Sequence, residues 1–311
     1  MNKHYIGIYL RGLAMGAADV VPGVSGGTVA FITGIYEELI NSLRAMNITA
    51  IKVLFSQGPA ACWRHINGNF LIALGLGIVT SIVTLARGIL FLLETQPLLV
   101  WSFFFGLILA SSLYIARQIR QWDRIIILAF VIGCATAVGI AEVKPAQVPA
   151  DLPFVFIAGA IAICAMVLPG ISGSFMLVLM GMYQHIMGAV KSADWVLLLT
   201  FMAGAGLGLL SFVHLLGWLL SRFHDRVMAV LTGFLFGSLY LVWPWKQVLS
   251  YYQNGKGESL ALEQQNVMPW VYEQLTGLSS KWLSCGILVV VGVILVLGLE
   301  YFGQKIATGD K

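Results

Sequence analysis

Two short phrases hold most of the residues able to do chemistry. Pro22-Gly23-Val24-Ser25-Gly26-Gly27-Thr28 lies in the first half of the chain, and Pro169-Gly170-Ile171-Ser172-Gly173-Ser174 in the second. Proline and glycine break a helix, and the residues after each Pro-Gly are suited to start a new one. A helix start offers free backbone N–H groups, and with serine or threonine hydroxyls beside them it forms a cradle for a phosphate or carboxylate. The same small residues also let helices pack closely. For a single phrase the packing reading is favoured, and for two related copies anion binding is.

Three further groups join the candidates. Asp19 precedes Pro22 by one helical turn and has Met166 as its counterpart. A carboxylate there can carry a coupling proton, or cap the arm that follows. Arg87 is the single arginine inside an apolar run ("VTSIVTLARGILFLLE"). Such a residue faces a partner or wet cavity unless it snorkels to the interface. Aligning the halves brings His214 opposite Arg87. Arg87 offers phosphate a fork of charged donors, and His214 can titrate, so both are candidate charge partners for a moving anion. Glu37 and Glu38 read as a solvated face.

The elements that must position these groups are apolar. Hydrophobic residues make up 59% and charged residues 10% of the 311, and the mean hydropathy is +0.88. Soluble domains carry about 25% charged residues, so the fold class is an all-α polytopic membrane protein. The net charge of +4 comes from short loops and forms no stripe for nucleic acid. Cys62, Cys134, Cys164 and Cys285 are scattered, which fits neither a disulfide framework nor a metal site. No cofactor is expected. Arg11 interrupts the N-terminal apolar run, and the matching stretch from Ala158 is internal, so a cleaved leader is not expected.

The chain reads as a unit used twice. Aligning Pro22 with Pro169 superposes Gly34 and Tyr36 on Gly181 and Tyr183. "FFFGLILASSLYIA" from Phe103 resembles "VLTGFLFGSLYLV" from Val230, and "IGCATAVGIAE" loosely resembles "VGVILVLGLEYF". The stretch from Ile6 to Val21 extends roughly 24 Å as helix, short of the hydrocarbon core of about 30 Å. Each broken segment is therefore expected to be a re-entrant hairpin, over 6–43 and 153–190. Repeat 1 (1–143) adds spans at about 70–93, 98–116 and 125–141. Repeat 2 (144–311) adds about 195–220, 227–243 and 282–302, with an outer loop at 246–281 read as interfacial helices.

Charge supports this topology. One side collects Arg44, Lys52, Arg64, Arg117, Arg120, Arg124, Arg222, Arg226, Lys305 and Lys311, against Lys144, Lys191, Lys246, Lys256 and Lys281 on the other. That bias puts both termini in the cytoplasm. Three spans per unit make the second copy inverted, and the two tips then approach each other near the midplane.

"GAADVVPGVSGGTVAFITGIYEELI" and "LPGISGSFMLVLMGMYQ" resemble the bacterial polyprenyl-phosphate transporter family (PopT-type), over nearly the whole chain. The resemblance implies a flippase in the bacterial cytoplasmic (inner) membrane. Its substrate would be undecaprenyl phosphate, returned from the outer to the inner leaflet so that peptidoglycan and other envelope polymers can be built. Besides that substrate, membrane lipids are expected as partners and nucleic acid is not. Undecaprenyl-pyrophosphate phosphatases share inverted repeats and a Pro-Gly-x-Ser phrase, but theirs continues with an arginine and needs a glutamate cluster. Gly26 and Gly173 stand at that arginine's place here. Hydrolysis needs concentrated positive charge on the leaving phosphate, so a binder and mover is expected rather than an enzyme. A proton-coupled transporter of a small soluble anion remains the other alternative.

Overall fold

The computed structural model describes residues 3–21, 24–119, 121–143, 149, 151–253 and 259–308. Pro22 and Gly23 of the first phrase lie outside the described residues, as do Arg120, Lys144, Lys256 and Lys311 of the charge pattern.

The first broken segment consists of α1 (Lys3–Asp19), α2 (Gly26–Ile32) and α3 (Tyr36–Arg44). The second consists of α10 (Leu152–Val167), α11 (Gly173–Leu179) and α12 (Tyr183–Ser192). Between them run α4 (Ile48–Gln57), α5 (Pro59–His65), α6 (Gly68–Thr84), α7 (Ala86–Thr95), α8 (Pro97–Gln118) and α9 (Arg124–Glu142). After them come α13 (Trp195–Leu241), β1 (Lys246–Gln253), β2 (Ser259–Asn266), α14 (Pro269–Thr276) and α15 (Trp282–Thr308). Helices α8, α9 and α13 are long and apolar enough to cross a membrane, and Trp282–Gly298 of α15 forms a shorter apolar helix. These helices are compatible with a polytopic membrane protein.

Two expectations need correction. The returning arm of each broken segment is not one helix: Gly34 (φ +72°) and Gly181 (φ +67°) break it, and α11 and α12 bend by 106°. Only glycine adopts that left-handed backbone without strain, and both positions stand in the matched Gly-x-Tyr of the repeat. The outer loop is not all helix either, so the fold is not strictly all-α. β1 and β2 pair antiparallel, Lys246 opposite Asn266, and only α14 is helical there. The sequence between them is Asn-Gly-Lys-Gly-Glu, rich in turn formers. The stretches expected as spans 195–220 and 227–243 lie in α13, which is two helices meeting at a kink at Phe223 (φ −135°, ψ 43°).

The packing follows the glycines. A Cβ on Gly12 would lie 2.3 Å from the Leu74 carbonyl oxygen, and one on Gly77 2.2 Å from that of Tyr9, which locks α1 against α6. Gly159 and Gly204 repeat this between α10 and α13, at 2.3 Å from the Phe201 oxygen and 2.0 Å from the Phe156 oxygen. Helix α8 packs on α15 through Gly106 and Gly292, and α9 packs on the second half of α13 through Gly133 and Gly233. In the alignment above, Gly12 and Gly77 match Gly159 and Gly204, and Gly106 matches Gly233. The second span of each half therefore packs on the third span of the other half. Without water to drive association, close backbone approach is what holds such helices together.

Many apolar side chains outside these seams face outward. Helix α4 is the extreme case: Ile48 is 73% and Phe55 85% exposed. Over the other end of the bundle, Trp243 Nε1 donates to the Val267 carbonyl at 2.9 Å, and Trp245 Nε1 to that of Ser280 at 2.9 Å. These bonds seat the β-hairpin and α14 over the ends of α8 and α13.

Candidate functional site

The two Pro-Gly phrases meet. The Ser25 hydroxyl donates to the Met166 carbonyl at 2.8 Å, and the Gly170 N–H donates to Thr28 Oγ1 at 2.9 Å. A Cβ on Gly27 would lie 2.6 Å from the Val167 oxygen, so glycine there admits the backbone of the second segment. Ser25, Thr28 and Ser172 are buried, and Ser174 is exposed. Gly170 (φ +89°) turns the chain under the carbonyl of Phe234, 2.8 Å from where its Cβ would be.

Local chemistry explains why the tips bond in this way. Helix α10 ends at Val167, ahead of Pro169, so its last carbonyls have no helical partner. Ser25 satisfies one of them. Its oxygen also accepts the Gly27 N–H at 3.0 Å and so caps α2. The Met166 carbonyl is the site group that the sequence reading missed. The signal was present, because a proline closely following an apolar helix leaves acceptors at its end.

The two tips differ in who occupies the helix start. Asp19 Oδ1 accepts the Gly26 N–H at 2.6 Å, and a Cβ on Gly26 would meet the same carboxylate at 2.6 Å. The first cradle therefore already holds an anion, supplied by the chain itself. Of the two expected roles for Asp19, capping is the one the geometry displays. In the second tip Met166 replaces Asp19, and Ser172 makes no capping bond. Its hydroxyl lies 2.8 Å from that of Ser174 instead. Among the described residues, the Gly173 and Ser174 N–H groups have no partner. Gly173 is buried, and a Cβ there would lie 2.6 Å from the Ala162 carbonyl oxygen.

Arg87 and His214 stand apart from this meeting point. Arg87 is exposed on α7, with no hydrogen bond or ion pair among the described residues. His214 Nδ1 lies 2.7 Å from the Leu210 carbonyl, and the ring borders an apolar groove of about 660 Å³ beside α4. No described hydrogen bond joins either residue to a tip. A further polar group without a partner is the Tyr36 hydroxyl, buried with its ring edge-on to Phe31 at 5.1 Å.

At the break in α13, His224 Nε2 lies 3.0 Å from Glu37 of α3, and Nδ1 lies 3.2 Å from Asp225. Burial disfavours the charged imidazole, but the bonds to Glu37 and Asp225 and their negative charge outweigh it, so its pKa is raised. Glu37 is thus engaged rather than a merely solvated face.

No solved structure matches the chain. A family model described as VCA0040-like, undecaprenyl phosphate translocase-like, matches residues 15–260. A polyprenyl-phosphate transporter of Vibrio cholerae serotype O1 is 51% identical over 304 residues, 98% of this chain and 99% of its own length. A polyprenyl-phosphate transporter of Staphylococcus aureus is 30% identical over 253 residues, 76% of this chain and 85% of its own. The family match covers well over half of the chain, and on this ground the chain belongs to the VCA0040-like, undecaprenyl phosphate translocase-like family.

Proposed function

We propose that this protein is a flippase for undecaprenyl phosphate, returning the carrier from the outer to the inner leaflet of the bacterial cytoplasmic membrane for envelope synthesis. The observation that carries the reading is the direct bonding of the two tips, Ser25 to Met166 and Thr28 to Gly170. Two re-entrant hairpins that meet tip to tip, one from each side, would form a single gate between leaflets. The matched glycine seams support inverted repeats over 1–143 and 144–311, because the same contacts recur in corresponding places. Termini in the cytoplasm follow from the charge bias.

In this reading the phosphate binds at the parted tips. The substrate-binding groups are the backbone and hydroxyls of Pro22–Thr28 and Pro169–Ser174. Since Ser25, Thr28 and Ser172 are buried while the tips touch, access requires the tips to separate. The free N–H groups of the second tip receive the anion first. Asp19, already on the Gly26 N–H, would have to be neutralised by a proton or displaced before the first tip could share it, and that step couples transport to protons. Arg87 and His214 assist the headgroup between the tips and the membrane surfaces.

The reading assigns no hydrolytic chemistry. Purified protein in vesicles should move undecaprenyl phosphate between leaflets and release no phosphate from undecaprenyl pyrophosphate. Turnover of the pyrophosphate that disappears in Ser25→Ala would restore the enzyme class. Movement of a small soluble anion without any lipid movement would favour the other alternative.

A further inference from the structure

A cavity of about 840 Å³ opens at the break in α13, away from the paired tips. Its walls include Glu37 at the start of α3, Gln118 at the end of α8, Asp123 ahead of α9, and Arg222, His224 and Arg226 around the break. The break exists because Phe223 leaves helical dihedrals. Arg222 Cζ then lies 6.0 Å and Arg226 Cζ 5.4 Å from the centre of the Phe223 ring. An aromatic ring steadies a guanidinium without consuming its N–H donors.

The carboxylates of the cavity already have partners. Glu37 and Asp225 both lie within hydrogen-bond distance of His224, at 3.0 and 3.2 Å. Asp123 accepts the Ile126 N–H at 2.7 Å and caps α9. Among the described residues, neither Arg222 nor Arg226 is paired with a carboxylate. Two permanent cations that are unpaired among the described residues, on a polar cavity, match a phosphate monoester in charge and in donor geometry. We propose that this cavity is a second anion site, in which Arg222 and Arg226 bind the phosphate of a phosphomonoester. The proposal rests on the transport reading for its ligand: the site would hold the cargo's headgroup at the cytoplasmic face, on its way to or from the tips. A free phosphate has the same chemistry.

The test uses the full chain in nanodiscs with three probes: farnesyl phosphate, farnesol and inorganic phosphate. Gln121→Cys places a thiol on the cavity wall, and its labelling by an aqueous maleimide reports occupancy. Farnesyl phosphate should slow labelling and farnesol should not. The double variant Arg222→Gln/Arg226→Gln should lose this protection and bind farnesyl phosphate at least tenfold more weakly, with Arg222→Lys/Arg226→Lys in between. Protection by farnesyl phosphate but not inorganic phosphate identifies a lipid headgroup site, and protection by both means that phosphate alone suffices. Protection by inorganic phosphate with no farnesyl phosphate binding anywhere would keep the cavity site and remove the lipid reading. If farnesyl phosphate binds and Gln121→Cys stays fully reactive, the cavity proposal is overturned while the transport reading stands. Unchanged labelling with all three probes overturns it too. Should the glutamine variant fail to fold, protection in the arginine-bearing chain decides alone.

Discussion

Thr28 and Gly170 come from opposite halves of the chain, yet the Gly170 N–H donates to the Thr28 hydroxyl oxygen at 2.9 Å, with both groups buried. The bond joins the two broken segments at their tips, next to the one Ser25 makes to Met166. Neither segment could satisfy these groups alone.

Thr28→Val keeps the shape but removes the acceptor. The buried Gly170 N–H is then unpaired, at a cost of about 1–3 kcal/mol. The thermal midpoint of the purified protein should fall by several degrees. An unchanged midpoint would mean that water or another group takes the N–H.

Ser25→Ala removes both a helix cap and the bond to Met166. The loss should be about 1–2 kcal/mol, and undecaprenyl phosphate should accumulate at the outer surface of cells that rely on this protein. Cysteines at Ser25 and Ser172 should be shielded from aqueous reagents while the tips touch. Free labelling of either from bulk solvent would rule out a gate.

The glycine seams give a paired test. Gly233→Ala would place Cβ 2.2 Å from the Phe130 carbonyl oxygen, and Gly106→Ala would place it 2.1 Å from that of Val289. Each must push two helices apart and should lower the folded yield sharply. Gly139 and Gly206 meet nothing within 4 Å, so alanine there should be neutral or mildly stabilising, since alanine favours helix by about 1 kcal/mol.

The bridge between His224 and Glu37 predicts a pH dependence. The folded pKa of His224 is raised, so the bridge contributes fully below the unfolded value of about 6.5 and is lost as pH rises through the folded value. With the side chains 53% and 54% exposed, the contribution is at most about 1 kcal/mol. Between pH 5 and 8.5 the wild-type midpoint should converge on that of His224→Gln. A constant gap would assign the difference to packing instead.

Arg87→Gln should leave the protein inserted at normal levels, because it removes an insertion penalty. Transport should drop, with Arg87→Lys restoring only part, since lysine lacks the fork. Outer-leaflet undecaprenyl phosphate equal to wild type would mean that Arg87 only snorkels to the interface.

Much of this protein was legible in one dimension because the bilayer reads composition directly. Apolar runs of sufficient length predict the helices α8 and α9 within a few residues and the start of α15, and a phrase such as Pro-Gly-x-Ser-Gly cannot continue a helix, so both breaks could be placed. The repeated phrases also pointed to the family. Elements with weaker apolar signal were harder to read: α4 and α5 fell in a segment read as loop, and the β-hairpin was read as helix because its aromatic residues also suit an interface. What only the tertiary structure decided is which groups satisfy one another. Asp19 sits on the Gly26 N–H, and Ser25 reaches across to a carbonyl of α10, while the second tip keeps its N–H groups free. Periodicity and spacing describe one segment at a time. Hydrogen-bond partners far apart in the chain are chosen by the packing of whole helices, which decides the groups that are buried together and must satisfy one another.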